Sequence, residues 1–269
     1  MNPVLDPPEL GNPDIRLIAV DMDGSLLDDD KRVDPSFWPL LDQLHERGIA
    51  LCPASGRQYA TLRDQFGRDD LVYIAENGAY VVHEGREVGC TPLGAAAARE
   101  ALDAVRAAGD DTGVVLCGKR SAYVERTDDA FLDQVRPYYH LLQTVPDLAA
   151  VEDDVLKVAV YDFDSSARTA RALDGLDGVM VSGPHWVDVM DPAADKGVAL
   201  RQVQHARGIG PAQTMAFGDF HNDLGMLAAA QYSFAMDNAH PDVRSAARYV
   251  APANSRNGVV RTITAALGL

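Results

Sequence analysis

Short apolar runs alternate along the chain with longer stretches of helical periodicity. The runs at 15–20 (IRLIAV), 49–54 (IALCPA) and 71–75 (LVYIA) are separated by 35–47 (PSFWPLLDQLHER) and 57–66 (RQYATLRDQF), where apolar residues recur every three or four positions. That is a β-α-β-α-β order. The runs lack polar alternation, so both faces of each strand are expected to be buried, which predicts a parallel sheet with right-handed crossovers and helices on both sides. Asp34 followed by Pro35 marks the start of the first helix, and Gly48 its end. The rhythm returns downstream: helix at 196–208, strand at 214–218 (TMAFG), helix at 222–230, then strands at 232–236 (YSFAM) and 248–252 (RYVAP) with a helix between them. From 85 to 189 the pattern changes to closely spaced strand runs (VVLC, AYVE, LKVAVYD, VMVS, WVDVM) and an alanine-rich helix at 95–109. The expected architecture is α/β: a parallel-sheet core from 15–84 and 190–269, interrupted by an inserted α+β domain at 85–189 and joined to it near His83-Glu84 and Asp191-Pro192. Residues 1–14 contain Pro3, Pro7, Pro8 and Pro13 and are expected to form an irregular arm.

Composition narrows the range of partners. With 269 residues, 47% hydrophobic and 24% charged, the chain is long enough for two lobes and is not a disordered or fibrous sequence. Its formal charge of −16 argues against binding nucleic acid or an anionic membrane surface. The longest apolar runs fall far short of the ~18 residues of a membrane span, and the first residues lack a basic segment followed by an apolar one. A cytoplasmic location is expected. Cys52, Cys90 and Cys117 are odd in number and form no CxxC pair, so free thiols are expected.

The chemistry-bearing residues lie where predicted strands end. The first strand runs into Asp21-Met22-Asp23-Gly24-Ser25, which places two carboxylates at i and i+2 beside a glycine that permits a sharp turn. One carboxylate can attack phosphorus, and a second can protonate the leaving oxygen and then deprotonate water. The strand TMAFG ends at Gly218-Asp219, with Asn222-Asp223 opening the next helix; Asp219 and Asp223 could join Asp21 in holding a hard divalent cation, for which Mg2+ suits the oxygen donors. The strand at 49–54 stops at Ser55-Gly56-Arg57, a hydroxyl and adjacent amides at a helix start, which suits an anion. Lys196 begins a helix and could place an ammonium on phosphoryl oxygens and on the nucleophile. Each element also has a plain structural role: a solvated acidic loop, a helix cap or a surface lysine.

Taken in order, DxDGS, SGR, K and GDxxND resemble the haloacid dehalogenase superfamily of phosphotransferases, and more closely its Cof-type phosphatases. Glu76-Asn77-Gly78-Ala79, Lys196-Gly197, Asn222-Asp223 with Met226-Leu227, and AMDNAHPDVRSAARYVAPANSRNGV extend the likeness, with Ser25 standing where threonine is commoner. The resemblance implies a Rossmann-like core with an inserted cap. Asp21 would then be the nucleophile, forming an aspartyl-phosphate, and Asp23 the general acid/base. Ser55, Gly56, Lys196 and Asn222 would hold the phosphoryl group. Mg2+ would sit on the Asp21 carboxylate, the Asp23 backbone carbonyl and Asp219. Asp223 would support the site, either through water or by holding Lys196.

The implied activity is magnesium-dependent hydrolysis of small phosphorylated metabolites, with sugar phosphates favoured and phosphorylated cofactors such as pyridoxal phosphate or flavin mononucleotide next. A dehalogenase has no need of an acid at Asp23. A phosphomutase shares the phosphoenzyme and stays open, and a non-catalytic metabolite-binding module predicts a missing catalytic group, which is not observed. Asp162-Phe163-Asp164-Ser165 imitates the first motif without its glycine and reads as a turn and helix cap. His221 lacks a second histidine at ligand spacing and reads as a solvated or substrate-edge residue. His185 and Trp186 read as packing groups.

Overall fold

A computed structural model describes residue 10 and residues 13–109 and 111–269; apart from residues 10, 13 and 14, the expected arm over 1–14 lies outside the described residues. The chain begins with β1 (Leu17–Asp21), α1 (Phe37–Glu46), β2 (Ala50–Ala54), α2 (Tyr59–Phe66) and β3 (Val72–Ala75), then the hairpin β4 (Tyr80–His83) and β5 (Arg86–Cys90). Next come α3 (Ala95–Ala108), β6 (Thr112–Gly118), β7 (Ala122–Val124), α4 (Asp129–Val135), β8 (Leu142–Thr144), β9 (Val155–Asp162), α5 (Ser166–Ala172), β10 (Val179–Val181) and β11 (Trp186–Met190). The last part comprises α6 (Lys196–Arg207), β12 (Thr214–Gly218), α7 (Leu224–Ala228), β13 (Tyr232–Met236), α8 (Pro241–Ala246), β14 (Tyr249–Ala251) and α9 (Gly258–Leu267).

Two sheets form. The first has the order β14-β13-β12-β1-β2-β3-β4-β5 and is parallel from β14 to β3. Its central strands β1, β2, β3, β12 and β13 are buried almost throughout, as their uninterrupted apolar runs require, and α1 packs with α9 while α6 packs with α7 along the sheet. The order reverses direction about β1, so the strand ends at Asp21, Ala54 and Gly218 converge, which is where ligands bind in open α/β sheets.

The antiparallel pair β4-β5 departs from the expected all-parallel core. Glu84 and Gly85, both with positive φ (+52° and +69°), make a tight two-residue turn at the point where the sequence suggested a junction, and Arg86–Cys90 becomes the outermost strand of the first sheet. That strand is half exposed and carries little apolar alternation, so its pairing leaves no periodic signal. The chain passes to the second sheet through residues 91–94 and returns through 191–195. A smaller difference concerns Asp34, whose carboxylate binds the amide and hydroxyl of Ser36; Ser36, not Asp34, occupies the cap position of α1.

The second sheet has the order β10-β11-β9-β6-β7-β8 and is antiparallel except for the β7-β8 pair. Alternation along β9 divides its two sides: Val158 and Val160 pack with α3 and α5, whereas Ala159 and Tyr161 join Phe131 and Val135 of α4 in a separate cluster. A third small cluster of Ala79, Leu156, Met190 and Ala194 lies where the sheets meet. All three cysteines are free thiols.

The Asp162 turn behaves as read. Its buried carboxylate accepts from the amides of Asp164 (2.8 Å) and Ser165 (3.1 Å), from the Thr169 hydroxyl (2.8 Å) and from Arg168, while Ser165 caps α5. Burial alone would push this carboxyl up; Arg168 and the surrounding donors outweigh it and hold the group well below the usual carboxylate range. Such a group stabilises the fold above its unfolded-state pKa of about 4 and loses that contribution as pH falls through its folded value. Asp162→Asn is therefore expected to lower stability by about 1.5–3 kcal/mol near neutrality. Urea unfolding from pH 3 to pH 7 checks this: the difference from the native protein should shrink at the acid end.

Candidate active site

The site is assembled from four strand or helix ends. β1 delivers Asp21 and then turns through Gly24 (φ +84°), where an added Cβ would stand 2.2 Å from Asp219 Oδ2. Only glycine permits this close approach of the first loop to the loop after β12. Asp223 closes the arrangement: its Oδ2 accepts from the backbone amides of Asp219 (2.9 Å) and Phe220 (3.1 Å), and its Oδ1 lies 2.8 Å from Lys196 Nζ. Lys196 is fully buried at the start of α6, behind the cap made by Asp195, and also reaches Asp21 Oδ1 at 2.6 Å.

Three carboxylates, those of Asp21, Asp219 and Asp223, thus offer oxygen atoms within 4.8 Å of one another. Burial and the Asp223 charge push Asp21 well above the usual carboxylate range and push Asp219 up to about 7. Asp21 Oδ2 is buried and has no hydrogen-bond partner among the described residues. An orphaned anionic oxygen beside a second carboxylate fits a hard divalent cation; Asp223, with both oxygens engaged, fits a supporting role that holds Lys196 and the Asp219 loop.

Asp21 and Asp219 open onto a cleft of about 410 Å3 between the two sheets. Its wall includes Ser55, Gly56 and Asn222 but not Lys196, whose ammonium is turned toward Asp21. Asn222 Nδ2 donates to Asn77 Oδ1 (3.1 Å), linking the loop after β12 to the turn after β3. Asp23 stands apart from the other acids. Arg57 grips it with two bonds of 2.8 and 2.9 Å, and Lys31 adds a contact at 2.9 Å. Burial raises its pKa, but these two cations win and leave it below the usual value.

Several cleft residues carry no strong sequence signal. Arg57 closes the expected Ser55-Gly56-Arg57 loop but has no separate role legible in the sequence, and Lys31, with φ +61°, belongs to an irregular segment. Lys157 and Asp188 do leave a trace: each is a lone charge inside an apolar strand run, LKVAV and WVDVM. Trp186 borders the cleft as well as packing edge-on with Tyr138 and Tyr161, and Phe220 is 42% exposed at the rim. His221 has companions the sequence separates from it, since His240 and Asp242 lie against it, with Asp242 Oδ2 3.0 Å from His221 Nε2.

The chain is similar to known proteins along most of its length. The model of the haloacid dehalogenase-like hydrolases matches residues 18–263. The chain is 35% identical to the 5-amino-6-(5-phospho-D-ribitylamino)uracil phosphatase YbjI of Escherichia coli (strain K12), covering 93% of this chain and 95% of that protein. It is 28% identical to the HMP-PP phosphatase of Cronobacter sakazakii over 85% of this chain and 86% of that one. Among solved structures, SMU.1108c from Streptococcus mutans UA159 superimposes with a TM-score of 0.86 at 26% identity, covering 95% of this chain and all of that one.

The raised Asp219 carboxyl carries a pH signature. In metal-free protein its contribution to stability is full below the unfolded-state pKa of about 4 and is lost as pH rises through about 7. A cation binds only the ionised form, so the rise in melting temperature caused by 5 mM MgCl2 should grow from pH 5 to pH 8. Equal rises at both ends would show that Asp219 does not take part.

Proposed function

Because the chain belongs to the haloacid dehalogenase-like hydrolases, we propose that it releases phosphate from small phosphorylated metabolites through a phosphoryl group carried on Asp21. It is a hydrolase of phosphate monoesters. The observation that carries the mechanism is Asp21, which lines a cleft that also holds Lys31, Arg57 and Asn222 and whose buried Oδ2 has no hydrogen-bond partner among the described residues.

In the first step an Asp21 oxygen forms a bond to phosphorus while the bond to the leaving oxygen breaks, and Asp23 gives that oxygen its proton. In the second, Asp23 takes a proton from water, the water oxygen attacks phosphorus, and the Asp21 carboxylate departs. Lys196 stays on Asp21 Oδ1 and holds the carboxylate in place beside the cleft. Ser55, Gly56 and Asn222 bind the phosphoryl oxygens. An incoming phosphate offers Arg57 and Lys31 a second anion and loosens their grip on Asp23, which must be protonated to serve as acid. Asp21, Asp219 and the Asp23 carbonyl are the groups that would hold Mg2+, which when bound withdraws negative charge from the phosphoryl oxygens.

The second sheet and its helices, from about residue 91 to 190, form a cap that excludes water and reads the rest of the substrate. Sugar and polyol phosphates suit the cleft. The name of the Escherichia coli relative, together with the aromatic rim of Tyr138, Trp186 and Phe220, adds a second feature: a flat ring joined to the polyol. Phosphate release should therefore be assayed with 5-amino-6-(5-phospho-D-ribitylamino)uracil, sugar phosphates, pyridoxal phosphate and flavin mononucleotide, with Mg2+ and with excess chelator. Turnover is expected only with the metal, and fastest on a ring-bearing polyol phosphate.

The two acids of the first loop should separate by leaving group. Asp21→Asn is expected to abolish single-turnover phosphorylation for every substrate. Asp23→Asn should slow it by about 10²–10⁴-fold for an alkyl phosphate, the usual worth of a general acid, and much less for para-nitrophenyl phosphate, whose phenolate leaves unaided. Equal losses on both substrates would remove Asp23 from the acid role.

A further inference from the structure

The loop that receives the phosphoryl group has all three of its carbonyls engaged. Ser55 O accepts from the Asn77 amide (2.9 Å) and Arg57 O from the Glu76 amide (3.1 Å), both within the first sheet's own turn. The middle carbonyl, Gly56 O, accepts instead from Lys157 Nζ (2.9 Å), a side chain of β9 in the second sheet. The Lys157 ammonium is buried, 3.0 Å from Glu76 Oε2 and 3.4 Å from Asp188 Oδ2. Asp188 Oδ2 also accepts from Asn77 Nδ2 (3.2 Å), and Asn77 in turn meets Asn222. One polar circuit therefore runs from the second sheet through the turn after β3 to both phosphate-facing loops.

Its location is mechanical. Lys157 pairs with Met190 across β9 and β11, and the Leu93 amide donates to Val155 O, so both crossing segments reach the second sheet within a few residues of Lys157. Rotation about those crossings would move the outer edge of the second sheet far and Lys157 little. Glu76 and Asn77 both hold positive φ (+48° and +55°), a costly backbone that this cluster anchors. Burying three charged groups here is expensive, and an apolar trio would pack the junction more cheaply. What an apolar trio could not supply is a donor for Gly56 O.

We propose that Lys157 is a positioning residue of the phosphate site: carried by the cap and balanced by Glu76 and Asp188, it holds the Gly56 carbonyl and so fixes the loop that binds the phosphoryl group. The seating of the cap is thereby converted into phosphate affinity. This rests on the phosphatase reading above.

The test compares the native protein with Lys157→Met and with Lys157→Met/Glu76→Gln, the second of which removes one of the acids left unpaired by the first. Inorganic phosphate is the probe, as a competitive inhibitor of Mg2+-dependent para-nitrophenyl phosphate hydrolysis, with kcat, KM and melting temperature measured alongside. Both variants should raise the inhibition constant for phosphate and KM by tenfold or more while kcat changes less. The double variant should recover melting temperature without recovering phosphate affinity, a separation that a purely structural lysine would not produce. An inhibition constant within twofold of native in either folded variant would overturn the positioning role. Native protein that neither turns over nor binds phosphate would instead overturn the phosphatase reading itself.

Discussion

A single buried ammonium stands against three converging carboxylates, and the rest of the site is arranged around that imbalance. Lys196 touches Asp21 and Asp223 at 2.6 and 2.8 Å, and among the described residues no cation makes a comparable contact with Asp219 or with the second oxygen of Asp21. Like charges about 4 Å apart repel by about 4 kcal/mol at an effective dielectric constant of 20, so the cluster is tolerable only if protons or a cation supply the missing charge. The raised pKa values of Asp21 and Asp219 express the same deficit. A site left in this condition is poised to take up positive charge and then an anion.

The fold creates the imbalance by bringing strand ends together. β1 and β12 are neighbours in the sheet although almost 200 residues separate them, and their C-terminal ends release Asp21 and Asp219 side by side. Gly24 lets the two loops approach more closely than any side chain would allow. On the opposite wall the second sheet turns one face to the cleft. Along β11 alternate residues Trp186 and Asp188 look into it, while Val187 and Val189 pack away toward α3 and α5. Pleat periodicity alone thus sets which residues of the second sheet meet the cleft and which build its core.

Positive charge is distributed around the cleft in a complementary way. Lys31 and Arg57 neutralise Asp23, and Lys157 is neutralised by Glu76 and Asp188, so the cleft contains cations that an arriving anion can borrow without the protein having exposed them singly. The chain's overall acidity is no obstacle to this. Surface charges are screened over about 8 Å at physiological salt, whereas these groups lie in contact.

Much of this was legible in the residues alone. The parallel strands announce themselves because burial on both faces demands unbroken apolar runs, and the acids at their ends stand out because a strand end beside glycine is where a polar group is neither packing nor simple surface. Asp21, Asp23, Ser55, Gly56 and Asp219 could be named for that reason, Asp223 and Lys196 as charged residues at helix starts, and Asn222 through the family resemblance. What the sequence could not supply was distance in space. The β4-β5 hairpin escaped because a half-exposed edge strand has no period to detect, and Arg57's grip on Asp23, His240 beside His221, and Lys157 beneath Gly56 each join residues that lie apart along the chain. Lys157 and Asp188 were visible as charges interrupting apolar strands, yet a buried charge is explained only by its partner, and partners are chosen by how the two sheets meet.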